Sequence, residues 1–285
     1  MELKKIAHEV REIIEKRKDK LELSFIEDEH IYFMKDMNGV IRNDYPSVSK
    51  VIKNFYVPFD SESKALEMSN GNKEKAKKLL NEWEKAGTNA TSMGSRAHYF
   101  LESELVGQYG NYKNVREPIF DCDDESIDRS NSMIVGGKEY IDLMHERGAV
   151  LLDTEMVLGD PELGYVGQPD KVWLIPNKNK NSYGFVITDW KTNQERKFQI
   201  QHYTKKMLPP FELYYDTALT HYFIQLPLYG KLLLKMLENT KFKDIKLYGC
   251  VVVHLKDNKT FTEYKVPQEI TETILNINIK NYLKD

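Results

Sequence analysis

Two carboxylates and one ammonium define the chemistry open to this chain. Asp189 and Lys191 flank Trp190 at the end of the apolar run Gly184-Phe185-Val186-Ile187-Thr188. Side chains of a strand alternate faces, so Phe185, Ile187, Asp189 and Lys191 share one face and Trp190 takes the other. A carboxylate and an ammonium then project side by side from a rigid element. Upstream, Lys171-Val-Trp-Leu-Ile175 reads as a second strand, preceded by Gly167-Gln168-Pro169-Asp170. The polar segment 176–182 between them reads as a turn. A symmetric hairpin centred between Asn179 and Lys180 pairs Leu174 with Phe185, Val172 with Ile187 and Asp170 with Asp189. Opposed residues hold their Cβ atoms roughly 5 Å apart, where like charges repel. Two carboxylates so placed share a proton or hold a cation. A cation held beside an ammonium suits metal-assisted phosphodiester hydrolysis.

Other polar residues recur at helical spacing. Gly94, His98 and Glu102 form one stripe, beside an apolar stripe of Met93, Ala97, Leu101 and Leu105. A lone histidine at such an edge is ordinarily a satisfied core or surface residue, and Glu102 alone reads as a solvated carboxylate. Gly94 in a helix interior costs ~1 kcal/mol unless a close approach requires it. Gln225 and Tyr229 are likewise four apart, with Pro227 between them, tolerable if it falls in the first turn of its helix. Glu155 puts a charge inside the first core strand. It is either an edge-strand surface residue or a carboxylate near a metal.

The elements that must position these residues follow from periodicity and punctuation. Residues 3–23 have helical spacing. Residues 30–42 read as a hairpin with Asn38-Gly39 at its turn. Residues 45–52 run extended into a helix capped by Ser47. Helices are expected over 62–85, 91–106, 132–147, 224–237 and 270–283. Strands are expected over 149–158, 247–255 and 261–266. Lys73, Lys75, Lys77 and Lys78 could meet phosphates, but a solvated face is the plainer reading. The polar stretch 108–131 holds Asp121, Asp123, Asp124 and Glu125 without calcium-loop spacing and reads as a surface loop. Residues 195–219 form a long insertion. The order of elements fits an α/β core with helical decoration at its front.

Composition narrows the partners. Lys and Arg number 41 against 44 Asp and Glu, a net charge of −3, so nucleic acid would have to be met by a local groove and a metal. Cys122 and Cys250 are the two cysteines, too few for a four-cysteine iron–sulfur cluster within one chain. Residues 1–20 are charged throughout, with no signal-peptide core, and no stretch is apolar enough to span a membrane. A cytoplasmic location is expected (host cytoplasm if phage-encoded), with no membrane partner. No Gly-x-x-x-x-Gly-Lys phosphate loop occurs.

Taken in chain order, these weak signals combine. Helix His98, strand Glu155, Gly167-x-x-Asp170, Asp189-x-Lys191 and Gln225-x-x-x-Tyr229 together resemble the RecB-like branch of the PD-(D/E)XK nuclease superfamily. Pro46-Ser-Val-Ser49 is similar to the opening of its stand-alone phage-type and mitochondrial genome-maintenance exonucleases. The resemblance spans about residues 45–255. It implies a restriction-endonuclease-like α/β core, a central mixed sheet flanked by helices, with an N-terminal helical layer and a helical insertion. One nuclease domain would cover 1–285, with decoration over 1–90, the core over 91–270 and a C-terminal helix over 271–285.

The resemblance also implies roles. Asp170, Asp189, His98 and the Trp190 carbonyl would hold one or two Mg²⁺ or Mn²⁺ ions, with Glu155 and Glu102 as further candidates. Lys191 would orient the attacking water, and Gln225 and Tyr229 would position the strand or Lys191. Ser95, Arg96, Gln168, Thr192 and Asn193 are the candidate contacts to nucleic acid. The implied activity is a metal-dependent DNA exonuclease acting on single strands or end-containing duplex, with recombination or replication proteins as possible partners. An endonuclease selective for structure or sequence, or a non-catalytic DNA-binding module, are the alternatives.

Overall fold

The computed structural model describes residues 2–109, 120–177, 182–198 and 204–283. Helix α1 (Glu2–Leu21) buries Ala7, Val10, Ile14 and Leu21 along one stripe. A small antiparallel sheet follows, of β1 (Ser24–Ile26), β2 (Ile31–Lys35) and β3 (Ile41–Arg42). Helix α2 (Val48–Ile52) starts at Ser47, whose side chain accepts from the Lys50 N–H as expected. Next come α3 (Ser61–Met68), α4 (Lys73–Tyr109) and α5 (Asp124–Glu146). Strands β4 (Val150–Thr154), β5 (Leu158–Asp160), β6 (Tyr165–Gly167), β7 (Lys171–Asn177) and β8 (Ser182–Lys191) lead to the short α6 (Glu195–Phe198). The chain closes with α7 (Ala218–Leu237), β9 (Lys246–Leu255), β10 (Phe261–Lys265), α8 (Gln268–Asn276) and a 3₁₀ turn at Ile279–Tyr282.

The fold is α/β around a mixed five-stranded sheet in the order β10-β9-β8-β7-β4. Neighbours are antiparallel except β8 and β9, which run parallel and need the α7 crossover between them. Period-two alternation sorts the sheet's side chains into two cores. Val172, Leu174, Phe185, Ile187 and Val252 pack with α1, α2, α7 and α8. Leu151, Trp173, Trp190, Val251 and Val253 pack with α4 and α5. The hairpin register is the expected one, with Leu174 opposite Phe185 and Val172 opposite Ile187. The strands run further than expected, to Asn177 and Ser182, and residues 178–181 of the expected turn lie outside the described residues.

Several boundaries differ from expectation for local reasons. Residues 73–109 form one helix of 37 residues where two were expected. The break falls earlier, at 69–72, where Asn70 and Gly71 both take positive φ and the Asn72 side chain caps Lys75. Helix α5 starts eight residues before the expected position because Asp123, read as a loop residue, is its N-cap and accepts from Ser126. Asp124 and Glu125 then favour the positive end of that helix. The expected strand 149–158 is two short strands separated at 155–157. Helix α7 begins at Ala218, capped by Thr217, so Pro227 lies in its interior rather than its first turn. Among the described residues of the expected helical insertion, up to Thr217, α6 is the one helix, and Lys206 forms an isolated antiparallel bridge to Tyr215. The expected terminal helix stops at Asn276, because Ile277 turns extended.

That stop is held from α7. Lys231 donates to the carbonyls of Ile274 at 2.9 Å, Leu275 at 3.1 Å and Ile277. These are end carbonyls that a helix leaves without partners. Lys231→Met is expected to lower stability by about 2 kcal/mol, the scale for hydrogen bonds to a charged group, read from the urea midpoint.

Candidate metal centre

The β7–β8 ladder ends at Lys171 opposite Thr188, one residue short of Asp170 and Asp189. Beyond it the Asp170 carboxylate accepts from the Trp190 N–H at 2.8 Å, so Asp170 is fixed by the main chain of the next strand. From the other layer, His98 on α4 brings Nδ1 to 3.4 Å from Asp170 Oδ2. Glu155 completes the group. One ligand atom from each of His98, Glu155 and Asp170 lies within 4.8 Å of the others.

Glu155 is neither inside a strand nor at a sheet surface. It follows β4 with φ +45, its N–H donates to the Asp170 carbonyl at 3.0 Å, and its carbonyl accepts from Gln168 Nε2 at 3.1 Å. A non-glycine residue at positive φ is uncommon, and such outliers concentrate at functional sites. The register shift between Leu151 and Asp153 places a bulge in β4 just before Glu155, after which pairing resumes to Thr154 opposite Lys171. Asp189 stands outside the trio, and its carboxylate pairs with the Lys191 ammonium.

The site separates its titratable groups. Burial drives His98 down to about 4, helped by Lys171 and Lys191 and opposed by Asp170 and a Trp190 backbone hydrogen bond. The imidazole is therefore neutral at pH 7, the form that ligates metals. Burial opposes ionisation of Asp170, but His98, Lys171, Lys191 and the Trp190 N–H outweigh it and hold the group near about 2. Burial and the neighbouring Asp170 push Asp189 up to about 6 against the pull of Lys191. Burial disfavours the Lys191 ammonium, yet the two aspartates raise its pKa above the ordinary lysine value. Two carboxylates pushed apart in this way, beside a cation, are the pattern of a functional site.

A supporting layer orients the site. Lys191 Nζ sits 4.6 Å from the Tyr222 ring centroid, and the Tyr222 hydroxyl donates to Asn193 Oδ1 at 3.1 Å. Gln225 Nε2 donates to the Tyr229 hydroxyl at 2.8 Å, so the expected helical pair exists despite Pro227. The two glycines of the motifs are explained by close approach. A Cβ on Gly94 would lie 2.9 Å from Thr192 Oγ1, and one on Gly167 would lie 2.6 Å from Tyr229 Cε1 and 2.7 Å from Val48 Cγ2. Gly167→Ala is expected to cost about 1–3 kcal/mol by overpacking and to displace Tyr229, visible as a lower melting temperature.

His98 and Glu155 of the trio line a cavity of about 790 Å³, and Asp170 lies buried behind them. Ser95, Gln168, Thr192 and Asn193 also line the cavity, as do Lys191 and Tyr229. Arg96 does not join them. It turns to α5, with Nη1 3.1 Å from Ser130 Oγ and its guanidinium over Phe100. At 100° per residue it stands about 200° around the helix from His98. Glu102 lines the cavity half-buried and accepts from Thr154 Oγ1 at 3.0 Å, so it is a structural acceptor rather than a solvated carboxylate.

Besides Tyr222, three residues were missed in the sequence. Lys171 is 1% exposed, with Nζ 3.9 Å from Asp170 Oδ2 and 4.6 Å from the Trp190 ring. Its signal was available: strand alternation puts it with Trp173 on the Trp190 face, buried and beside a carboxylate. Asp153 and Tyr32 line the cavity, whereas Lys171 is buried behind it. Burial pushes the Tyr32 hydroxyl up to about 12, and the nearby Glu155 adds to the shift. Nothing local in the sequence connects Tyr32 to Glu155.

No protein-family model matches the chain, and no curated protein matches it. No helix among the described residues is long and apolar enough to cross a membrane.

Proposed function

We propose that the chain is a divalent-metal-dependent deoxyribonuclease on a restriction-endonuclease-like core, organised as one nuclease domain and acting from free DNA ends. One observation carries the reading: His98, Glu155 and Asp170 converge within 4.8 Å, His98, Glu155 and Lys191 line one cavity, and Asp189 pairs with Lys191 at the adjoining strand end. The donor set fits a hard divalent ion, since it combines two carboxylates with a neutral imidazole, and the imidazole favours Mn²⁺ over Mg²⁺. Such an ion supplies charge stabilisation to a phosphate and a more acidic water.

The chain's own residues supply the rest. His98, Glu155 and Asp170 hold the cation, with the Trp190 carbonyl and Asp189 as further donors. The Lys191 ammonium orients the attacking water and faces the negative charge that grows on the phosphate. The water oxygen bonds to phosphorus and releases a proton to solvent, the bond to the leaving oxygen breaks, and that oxygen takes up a proton from solvent. Tyr222 holds Lys191 by its ring face, and the Gln225–Tyr229 pair closes the α7 side of the site. Ser95, Gln168 and Thr192 on the cavity wall are placed to contact the strand.

The separated carboxylates predict how metal binding depends on pH. Between the ordinary aspartate value and about 6, folded metal-free protein holds a proton on Asp189 that the unfolded chain has lost. That contribution to stability therefore falls as pH rises through this window. A cation drawing on Asp189 must displace the same proton, whereas His98 and Asp170 are already deprotonated. Calorimetric Mn²⁺ titration is expected to show affinity rising about fivefold from pH 5 to pH 6, and by only about twofold from pH 6 to pH 8.

End dependence is tested by digesting end-labelled linear and covalently closed circular DNA, single- and double-stranded, with Mg²⁺, Mn²⁺ or EDTA. Metal-dependent loss of linear DNA alone is expected. Equal cutting of circles would replace the exonuclease with an endonuclease.

A further inference from the structure

Part of the cavity wall is built by the small N-terminal sheet, which the metal chemistry does not use. Phe25 and Tyr32 are direct cross-strand partners on β1 and β2, with ring centroids 4.4 Å apart. His30, at φ +53 just before β2, sets its ring edge-on to Phe25 at 5.2 Å. All three line the cavity. Exposure falls from His30, which is exposed, through half-buried Phe25 to buried Tyr32. Tyr32 lies within the field of Glu155, so this aromatic row descends from solvent to the metal trio.

We infer that Phe25 and His30, backed by the buried Tyr32 ring, form a nucleobase-stacking wall that seats unpaired bases of one strand beside the metal centre. The inference rests on the nuclease reading for its substrate and adds the strand form that the cavity selects. Rings stack on any base, because every base has a π-face, and this gives affinity without sequence readout. In a duplex those faces are already covered by neighbouring pairs. The cavity, about 790 Å³, falls within the ~300–1,000 Å³ of small-ligand pockets. It has room for a few unpaired nucleotides. The net charge of −3 offers no general attraction for phosphates, so stacking would carry a large share of strand affinity.

The test uses full-length protein carrying Lys191→Met to prevent cutting, with Mn²⁺ present. Fluorescence anisotropy compares a labelled single-stranded oligonucleotide with an abasic strand of equal length. The parent is expected to bind the base-bearing strand about tenfold more tightly, and Phe25→Leu or His30→Ala to bring the ratio close to one. His30 is exposed, so its variant serves if Phe25→Leu fails to fold. A parent without preference for bases, or a preference unchanged in the folded variants, overturns the stacking wall. Failure of the nuclease reading is separately visible: protein without the Lys191 substitution would leave the same oligonucleotide uncut with Mn²⁺ while the base preference persisted.

Discussion

Asp170→Asn is expected to lower metal-dependent cleavage by more than about 10³-fold, beyond the cost of losing one charge-stabilising donor. Asp170 is the group on which the site converges. Its carboxylate accepts from the Trp190 N–H at 2.8 Å and lies 3.4 Å from His98 Nδ1 and 3.9 Å from Lys171 Nζ. Asparagine keeps the shape and removes the charge. The metal trio then loses one of its two carboxylates, and Lys171, 1% exposed, loses a nearby counter-charge. Removing one partner of a buried ion pair costs about 3–5 kcal/mol. The substitution should therefore weaken Mn²⁺ binding, silence cleavage and lower the melting temperature together. Full activity in a folded Asp170→Asn protein would remove Asp170 from the centre.

Lys191→Met is expected to separate chemistry from folding. The methionine covers the aliphatic path of the lysine stem, so the cavity wall and the Tyr222 contact keep much of their packing. Loss of the ammonium removes the group proposed to face the phosphate, and a fall of about 10²–10³-fold in kcat is expected. A second effect comes through Asp189. Its carboxyl is already pushed up to about 6 by burial and Asp170, and Lys191 is first among the groups opposing that rise. Without Lys191 it takes up a proton nearer neutral pH, so Mn²⁺ affinity at pH 7 also weakens. Arginine is not expected to rescue activity, because its planar fork cannot reproduce a compact ammonium over the Tyr222 ring. Cleavage rates, Mn²⁺ titration and thermal melting distinguish the two effects.

Much of the sheet was legible because its two faces meet different cores. Phe185 and Ile187 belong to one core and Val186 and Trp190 border the other, so period-two reading placed Asp189 and Lys191 correctly on one face. Helix continuity was less legible. Gly87-Thr88-Asn89 resembles a break by propensity, yet these residues lie within α4 and Gly87 meets no neighbour that would resent it. The turn signal that does end a helix was Ser69-Asn70-Gly71-Asn72. Glu155 could not be placed from its neighbours, since its left-handed backbone is fixed by Asp170 and Gln168, which come later in the chain. Arg96 was readable in principle, because helix geometry alone turns it away from His98. Tyr32 was not, because only the packing of the N-terminal sheet against the core brings it beside Glu155.

The central claim is that this site cuts phosphodiester bonds by means of a bound cation and Lys191. Its most direct test is the cleavage rate of a fluorescent single-stranded oligonucleotide with Mn²⁺ or EDTA, using wild-type and Lys191→Met protein side by side. The account predicts cutting by wild-type protein with Mn²⁺, none in EDTA, and a fall of about 10²–10³-fold in the variant. Cutting that persists in EDTA, or that Lys191→Met leaves unchanged, would contradict it.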